Sequence, residues 1–364
     1  MDLLVGEVMR AAVFRGGRNI RVENVPVPRP GTGDVLVKVA YAGICGSDLL
    51  SYRGLGPWQH SAERPDRDGH ELSGWVAAAG PEVDDIAVGD RVAVEPVHLV
   101  SCGGCTFCAS GRTYLCAERG LQGGVHQHSR GFAEYDLVPR DHAYPLPDQV
   151  SLEDASILDC YACGVHALHV SDLPAKSPVL ILGAGAIGLT LGQVARAAGH
   201  RVTVFGRSNA SLHRALRAGA ADTVYDTADP VEWQRALAEH AGGFGVVFDA
   251  AGNADGSLRD AMAFAAPGGR VVVVGVYAQA PAFDPHVAYQ RELTVQWSNS
   301  YGSCVDGVPD YRRALDLLAA GLVRATELIT HRLPLERIGD GFSIMLDRSV
   351  ESIKVLVEPG DETA

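Results

Sequence analysis

The feature that most limits the fold is a glycine-rich turn that joins an apolar run to a helical pattern. Residues Val179 to Leu182 are all apolar and lead into Gly183-Ala-Gly185-Ala-Ile-Gly188. Apolar residues then recur at helical spacing over 186–198. A short, wholly apolar run is typical of a strand that is buried on both faces of a parallel sheet. The combination predicts a strand, a tight turn and a helix, in that order.

This arrangement is typical of a dinucleotide-binding loop. In such a loop Gly183 makes the tight turn, Gly185 lets the backbone approach a pyrophosphate, and Gly188 lets the helix pack closely against the strand. Backbone N–H groups at the helix start, including those of Ala186 and Ile187, then face the phosphates. The alternative is a glycine turn in an α/β fold that binds nothing. The further strand and helix patterns that follow the loop favour the dinucleotide site.

The pattern of apolar residues divides the rest of the chain into two parts. After residue 150, apolar runs alternate with helical patterns, which predicts an α/β domain with a doubly wound parallel sheet. Before it, short Val-rich runs are separated by turns rich in Gly and Pro, so we predict a separate, strand-rich domain with a boundary near 155–165. The further runs in the second part are Val202 to Phe205, 211–218 (helical), Val246 to Phe248 and Val271 to Val274.

Composition excludes several functional classes. The chain has 364 residues, 47% of them hydrophobic, which indicates a globular protein of about two domains. Its 31 basic and 44 acidic residues give a net charge of −13, and an acidic chain without a basic run repels nucleic acids. It has neither a membrane-length apolar stretch nor the pattern of a secretory signal. A cytoplasmic protein that acts on small molecules, without nucleic-acid or membrane partners, is therefore expected.

Half of the eight cysteines lie within a short segment, about 101–117. They are Cys102, Cys105, Cys108 and Cys116. Three thiolates at two-residue intervals wrap one side of an ion, and the fourth closes a tetrahedral Zn²⁺ shell, which leaves no open position. This pattern predicts a structural zinc lobe. The alternatives, free surface thiols or paired disulfides, fit a long chain in a reducing compartment less well.

A second set of metal-binding residues is more dispersed. Cys45 stands between glycines in Gly-Ile-Cys-Gly-Ser-Asp, His70 stands in Gly-His-Glu, and Asp159 and Cys160 are adjacent in sequence. A catalytic zinc site uses three protein ligands and keeps a fourth position open. Together these residues make a three-ligand site plausible.

The motifs resemble those of the zinc-dependent alcohol dehydrogenases of the medium-chain dehydrogenase/reductase superfamily. GHELSGWVAAAGPEV fits G-H-E-x-x-G-x5-G-x2-V, and the family's other marks are GICGSD, the cysteine lobe, LGAGAIG, APGGRVVVVG and IKVLVEP, so the resemblance spans about residues 10–358. It implies a GroES-like catalytic domain in two pieces, 1–160 and 298–364, around a Rossmann domain at 161–297. It also implies a homodimer or homotetramer, with the strand that begins at Val271 at the subunit edge.

The resemblance also implies roles for the metal-site residues. A third zinc ligand is expected in DCYACGVHAL, and polyol and threonine dehydrogenases carry an acidic residue where Asp159 stands. We therefore predict a Cys45, His70 and Asp159 site, which is formally neutral with Zn²⁺, and Cys160 is the alternative third ligand. Glu71 is a nearby carboxylate that in relatives can move onto the metal.

Three residues of the Cys45 segment bear on proton movement. The resemblance assigns Asp48 as the carboxylate that orients His70, and Ser47 as the hydroxyl that takes the proton of the alcohol. Leu50 occupies the position of a relay histidine found in some alcohol dehydrogenases. The proton is therefore expected to leave through water or another group.

The residues that follow the run Val202 to Phe205 indicate which nicotinamide cofactor the chain prefers. An NAD-binding strand usually ends in Asp or Glu, which binds the ribose 2′-hydroxyl. Here the strand ends in Gly206, Arg207 and Ser208, without an acidic residue. A guanidinium fork and a hydroxyl suit a 2′-phosphate, so we predict NADP, with NAD as the alternative.

The predicted activity is hydride transfer between NADP and a secondary alcohol: a polyol, aminocyclitol, sugar or amino alcohol. Two zinc ions per subunit are expected. One alternative is a zinc-free reductase of enones or quinones in the same superfamily, and another is a non-enzymatic binding protein that zinc stabilises. Among aromatic residues, Trp58, Tyr161 and Trp297 are candidates for a substrate pocket, although aromatic side chains more often fill cores.

Overall fold

The computed structural model describes residues 6–55, 66–122, 125–126, 129–252 and 256–360. Trp58 lies outside these ranges. The chain forms two compact units: Met1–Asp159 with Ile329–Ala364, and Cys160–Leu328. Residues 298–328 pack in the second unit, so the return to the first unit begins at Ile329 and not at the predicted residue 298. The reason is packing, because the helix that begins at Asp310 buries its apolar face in the second unit.

The first segment is rich in short strands. Its strands are β1 (Val8–Phe14), β2 (Ile20–Pro26), β3 (Asp34–Gly43), β4 (Glu71–Ala79), β5 (Arg91–Val94), β6 (Leu121–Gln122), β7 (Val125–His126), β8 (Tyr135–Pro139) and β9 (Ala143–Pro145). Its helices are α1 (Gly46–Tyr52), α2 (Thr106–Ala109) and α3 (Leu152–Ala155).

The second segment alternates helix and strand. Its helices are α4 (Leu158–Val170), which begins at the end of the first unit, α5 (Ala186–Ala197), α6 (Asn209–Arg217), α7 (Pro230–Glu239), α8 (Ser257–Phe264), α9 (Pro285–Arg291) and α10 (Asp310–Ala319). Its strands are β10 (Val179–Leu182), β11 (Val202–Gly206), β12 (Thr223–Asp226), β13 (Phe244–Asp249), β14 (Ala265–Val273), β15 (Thr294–Trp297), β16 (Cys304–Val305) and β17 (Val308–Pro309). The last segment holds β18 (Ile329–Pro334), α11 (Ile338–Leu346) and β19 (Lys354–Glu358).

The main sheet of the first unit has the order β18-β19-β3-β4-β5-β9, and β8 also pairs with β3. Its pairs are antiparallel except for β18 with β19. Alternate residues of β3, such as Val35, Val37 and Val39, join a buried cluster with Phe132 and Phe342. The last segment thus completes the sheet that the first segment begins.

The second unit contains a six-stranded sheet in the order β12-β11-β10-β13-β14-β15, and its described pairs are all parallel. This is the doubly wound order of a dinucleotide-binding fold, and the predicted α/β class is confirmed. The strand that begins at Val271 was expected at a subunit edge. In the sheet, β14 lies between β13 and β15, so β15, with its exposed Trp297, forms that edge of the sheet; the place of β14 at a subunit edge stays a prediction.

The described helices are short. The longest, α4, has 13 residues, whereas a membrane span needs about 20 apolar residues. In the ranges that the structure covers, no helix is both long and apolar enough to cross a membrane.

Candidate active site

Cys45 and His70 are brought together by the pairing of β3 with β4. Gly43 at the end of β3 is the partner of Glu71 at the start of β4. Cys45 therefore follows one strand and His70 precedes the other at the same edge of the sheet. The ligand atoms of Cys45, His70 and Glu71 all lie within 4.8 Å of one another.

Asp48 connects the two predicted metal ligands. Its Oδ2 accepts the backbone N–H of Cys45 at 2.8 Å, as in a capping box at the start of α1. Its Oδ1 lies 3.5 Å from His70 Nδ1. With Nδ1 turned towards this carboxylate, the other ring nitrogen, Nε2, is left for a metal ion.

Burial controls the ionisation of this pair. Desolvation raises the pKa of Asp48 to about 6, although His70 opposes the shift. Burial also lowers the pKa of His70, but Asp48 and Cys45 together raise it well above its usual value. Asp68 lies within the same 4.8 Å of Asp48 and His70 and raises the pKa of Asp48 further.

Two buried carboxylates stand next to each other at this site. Asp159 lies in the first turn of α4 and is 7% exposed, and its ligand atoms lie within 4.8 Å of those of Glu71. Glu71 thus neighbours both the Cys45 and His70 pair and Asp159. Cys160, the alternative third ligand, follows Asp159 in the same helix and is also buried. The assignment of Asp159 stays a prediction.

The donors fit a zinc ion. A thiolate, an imidazole and a carboxylate are the ligand types of catalytic zinc sites. Bonds of about 2.0–2.3 Å at tetrahedral angles separate ligand atoms by roughly 3.3–3.8 Å. The ligand atoms of Cys45, His70 and Glu71 lie within 4.8 Å of one another, whereas Asp159 is grouped with Glu71 and Cys160.

The cysteine lobe has the geometry of a closed zinc shell. Sulfur atoms are separated by 3.9 Å between Cys102 and Cys108, and by 3.5 Å both between Cys105 and Cys108 and between Cys102 and Cys116. Four bonds of about 2.3 Å at tetrahedral angles require about 3.8 Å. The cysteines are free thiols, and the spacing is far too long for a disulfide of about 2.05 Å.

The glycine loop at the end of β10 has three different local environments. Gly183 has a φ of +106°, and a Cβ there would lie 2.9 Å from the backbone nitrogen of Ala251. A Cβ on Gly188 would collide with the backbone oxygen of Gly183, whereas a Cβ on Gly185 would meet nothing within 4 Å. Gly185 is also the N-cap of α5, which has no side-chain cap. The open face of Gly185 and the first N–H groups of α5, from Ala186 on, suit a phosphate.

Gly206, Arg207 and Ser208, at the end of β11, differ in exposure and in hydrogen bonding. Arg207 is exposed, and the Oγ of Ser208 accepts from the N–H of Ser211 at 3.5 Å as the N-cap of α6. A Cβ on Gly206 would lie 3.0 Å from Leu212 Cδ2, so this glycine packs closely against α6. Gly206 pairs with Asp226 of β12, whose carboxylate accepts from the N–H of Ala228 in its own turn.

The remaining residues considered for the site differ in burial and in their contacts. Ser47 is half-buried in the first turn of α1, and Leu50 is buried in the same helix. Tyr161 is fully buried, which favours the core interpretation. Lys354 contacts Glu71 with its ammonium group. The signal that could have indicated this contact is the register of β19 beside β3.

The comparisons with known proteins agree with this geometry. Residues 31–148 match the family "Alcohol dehydrogenase GroES-like domain" and residues 186–320 match "Zinc-binding dehydrogenase". A sorbitol dehydrogenase of Bacillus subtilis strain 168 is 32% identical over 99% of this chain and 99% of its own length. The chain belongs to the zinc-dependent alcohol dehydrogenase family.

Solved structures of this alcohol dehydrogenase family carry both cofactors. A protein described as a zinc-binding dehydrogenase of Sinorhizobium meliloti 1021, bound to NADP, is 34% identical with a TM-score of 0.81, and the match covers 97% of this chain and 100% of that one. The alcohol dehydrogenase RspB of Escherichia coli CFT073, complexed with NADH, is 28% identical with a TM-score of 0.83 over the same shares of both chains. The predicted GroES-like and Rossmann domains are confirmed.

Proposed function

We propose that the protein is a zinc-dependent dehydrogenase of secondary alcohols that carry further hydroxyl or amino groups, with NADP as the preferred cofactor. The observation that carries this proposal is the cluster of Cys45, His70 and Glu71 donors, with Asp159 beside it. The sorbitol dehydrogenase relative supports the polyol class. The cysteine lobe supports a second, structural zinc ion in each subunit.

Four residues have separate roles in the proposed reaction. Cys45 and His70 hold the metal, Asp48 fixes the ring orientation of His70, and Ser47 takes the proton of the alcohol. A zinc ion held there would supply Lewis-acid polarisation of the alcohol oxygen, and a bound nicotinamide would supply the acceptor for the hydride of the carbinol carbon. Leu50 offers no proton acceptor, so the proton leaves Ser47 through water or another group.

We propose Asp159 as the third metal donor. Both oxygens of Glu71 already accept hydrogen bonds from Lys354, at 2.7 and 2.6 Å, which supports Asp159 over Glu71. Metal analysis of Asp159→Asn and Glu71→Gln distinguishes them. Loss of one zinc ion in Asp159→Asn, with retention of both in Glu71→Gln, is expected. The reverse result would transfer the role to Glu71.

The NADP preference rests on Arg207. The sequence Gly206-Arg207-Ser208 has no acidic residue, Arg207 is exposed, and the carboxylate of Asp226 is engaged by its own turn. The NADP-bound relative supports the choice and the NADH-bound one shows that the family uses both. A guanidinium at this position gains charge-assisted hydrogen bonds only from a 2′-phosphate.

The activity is tested with a panel of polyols, sugars, amino alcohols and simple alcohols, followed at 340 nm with each cofactor. Cys45→Ala is the matched inactive control, and it should keep the zinc of the cysteine lobe. Activity that survives in Cys45→Ala or resists a chelator would favour the zinc-free reductase. No turnover across the panel would favour the binding protein. Cell fractionation and light scattering test the proposed cytoplasmic location and the proposed homodimer or homotetramer.

A further inference from the structure

Lys354 is buried to an unusual degree for a lysine. Its side chain is 2% exposed, and no other lysine or arginine among the described residues is buried. Burial of an ammonium group is costly unless the charge is paired and its protons are used. Lys354 Nζ donates to Glu71 Oε1 and Oε2 at 2.7 and 2.6 Å and to the backbone oxygen of Ile44 at 3.2 Å. All three protons of the ammonium therefore have acceptors.

The contact is built by three neighbouring strands. Lys354 is on β19 and Glu71 is on β4, and β3 lies between these two strands. Gly43 of β3 is the partner of Glu71, and a Cβ at Gly43 would collide with the Glu71 carboxylate. The absence of a side chain at Gly43 thus lets the two charged groups meet across β3.

The same carboxylate lies within reach of the proposed metal. Its ligand atoms are within 4.8 Å of those of Cys45 and His70, and also within 4.8 Å of those of Asp159. A buried carboxylate this close to a divalent cation is attracted to it strongly, because the local dielectric constant is low. A metal with four protein ligands has no position for substrate, as in closed structural zinc sites.

We propose that Lys354 is a positioning residue that holds the Glu71 carboxylate off the metal and so keeps one coordination position exchangeable. The inference rests on the proposed function, in which Cys45 and His70 hold that metal. It does not place Lys354 in contact with substrate or cofactor.

The test uses full-length protein with zinc in the cysteine lobe and Co²⁺ in the other site. The visible d–d absorption of Co²⁺ reports its coordination number, and titration with imidazole reports whether a position is open. In Lys354→Met we expect Glu71 to bind the metal. The cobalt spectrum should then change, and imidazole should bind about 10–100-fold more weakly, the usual size of an effect from residues behind the ligands.

Further variants separate this role from a merely structural one. Lys354→Arg keeps the ion pair and should keep the wild-type spectrum and imidazole affinity. The double variant Glu71→Gln with Lys354→Met removes both charges and should regain imidazole binding, even if Lys354→Met alone does not fold. Lys38→Met, a half-buried lysine change on β3, is the matched control.

The results that overturn the inference are specific. An unchanged cobalt spectrum and imidazole affinity in Lys354→Met would overturn it, as would a double variant that folds and still binds imidazole weakly. Failure of the proposed function has another signature. Cobalt absorption that is identical in wild type and Cys45→Ala would mean that Cys45 holds no metal, whatever Lys354 does.

Discussion

Asp48 Oδ1 lies 3.5 Å from His70 Nδ1 in the first unit, where Asp48 is buried and His70 is half-buried. The same carboxylate accepts the backbone N–H of Cys45 at 2.8 Å. One side chain thus contacts both the imidazole and the segment with the thiol that we propose as metal ligands. Its loss should therefore affect metal binding before it affects the fold.

We expect Asp48→Asn to weaken metal binding at the Cys45 site by about 10–100-fold, as is usual when the partner of a ligand histidine is removed. Competition with a chromophoric chelator measures this affinity, and the zinc of the cysteine lobe serves as an internal reference. Asp84→Asn, an exposed change in the same unit, is the control. Equal zinc affinities in Asp48→Asn and wild type would remove Asp48 from the site.

The cysteine lobe gives the next prediction. Cys105→Ser removes one of four thiolates whose sulfur atoms already stand 3.5–3.9 Å apart. A hydroxyl is a poor zinc ligand, so the zinc content should fall from about two to about one ion per chain. Elemental analysis with circular dichroism measures the loss. Cys304→Ser, at a half-buried free thiol outside the lobe, should keep both ions, and two ions in Cys105→Ser would contradict a four-thiolate shell.

Local sequence signals predicted most of the second unit. The apolar run at Val179, the glycine spacing after it and the helical spacing beyond are all contiguous in the chain, and β10 and α5 lie where these signals placed them. The strand β15 was not predicted, because it has little apolar signal and its place beside β14 depends on pairing between distant segments. The segment 298–328 was misplaced for a similar reason.

The sequence indicates candidate residues of the site but not the contacts between them. Cys45, His70 and Asp48 belong to motifs for which the family resemblance implies a role. The roles of Asp68, Glu95 and Lys354 were not assigned, since each is a single charged residue whose neighbours come from other strands. Burial raises the pKa of Glu95, and Asp159 adds to the shift. Only the folded sheet shows that such a carboxylate neighbours the site.

We expect the cofactor preference to depend on one exposed side chain, that of Arg207. Arg207→Ala should lower kcat/KM for NADP by about 10–100-fold, because a charge-assisted contact contributes about 1.5–3 kcal/mol, and it should leave kcat/KM for NAD nearly unchanged. Arg201→Ala, at the opposite end of β11, is a matched control. Steady-state kinetics with both cofactors measure the ratio. A preference for NAD in wild type that Arg207→Ala does not change would refute the NADP proposal.

Substitution of two glycines of the dinucleotide-binding loop should affect different properties, cofactor binding in one case and stability in the other. Gly185→Ala adds a methyl group where nothing lies within 4 Å, so the fold should persist while the close approach of a pyrophosphate is blocked. Gly188→Ala places a methyl group against the backbone of Gly183, so stability should fall by about 1–3 kcal/mol, a typical cost of overpacking. Thermal unfolding separates the two, and fluorescence titration with NADPH measures binding. A Gly185→Ala protein that binds NADPH normally would place the pyrophosphate elsewhere.

The acid stability of the second unit should depend on Asp310. Burial alone would raise the pKa of this carboxyl group, but His166 Nδ1 at 2.9 Å, His169 Nδ1 at 2.7 Å and backbone N–H groups lower it from 3.8 to about 2. A lowered pKa means that the ionised form is favoured in the folded state. The stabilisation is therefore complete above pH 3.8 and is lost as the pH falls towards 2.

We expect Asp310→Asn to reduce the free energy of unfolding by about 2 kcal/mol near neutral pH, from about 1.4 kcal/mol for each pKa unit. The difference from wild type should hold down to about pH 4 and shrink below it, because the wild-type carboxyl group is then protonated in the unfolded chain. Urea unfolding at pH 7, 5, 4 and 3 measures the difference. Asp316→Asn, an exposed change on the same helix, should show almost none. A difference between Asp310→Asn and wild type that persists undiminished at pH 3 would show that the carboxyl group stabilises the fold by its shape and not by its charge.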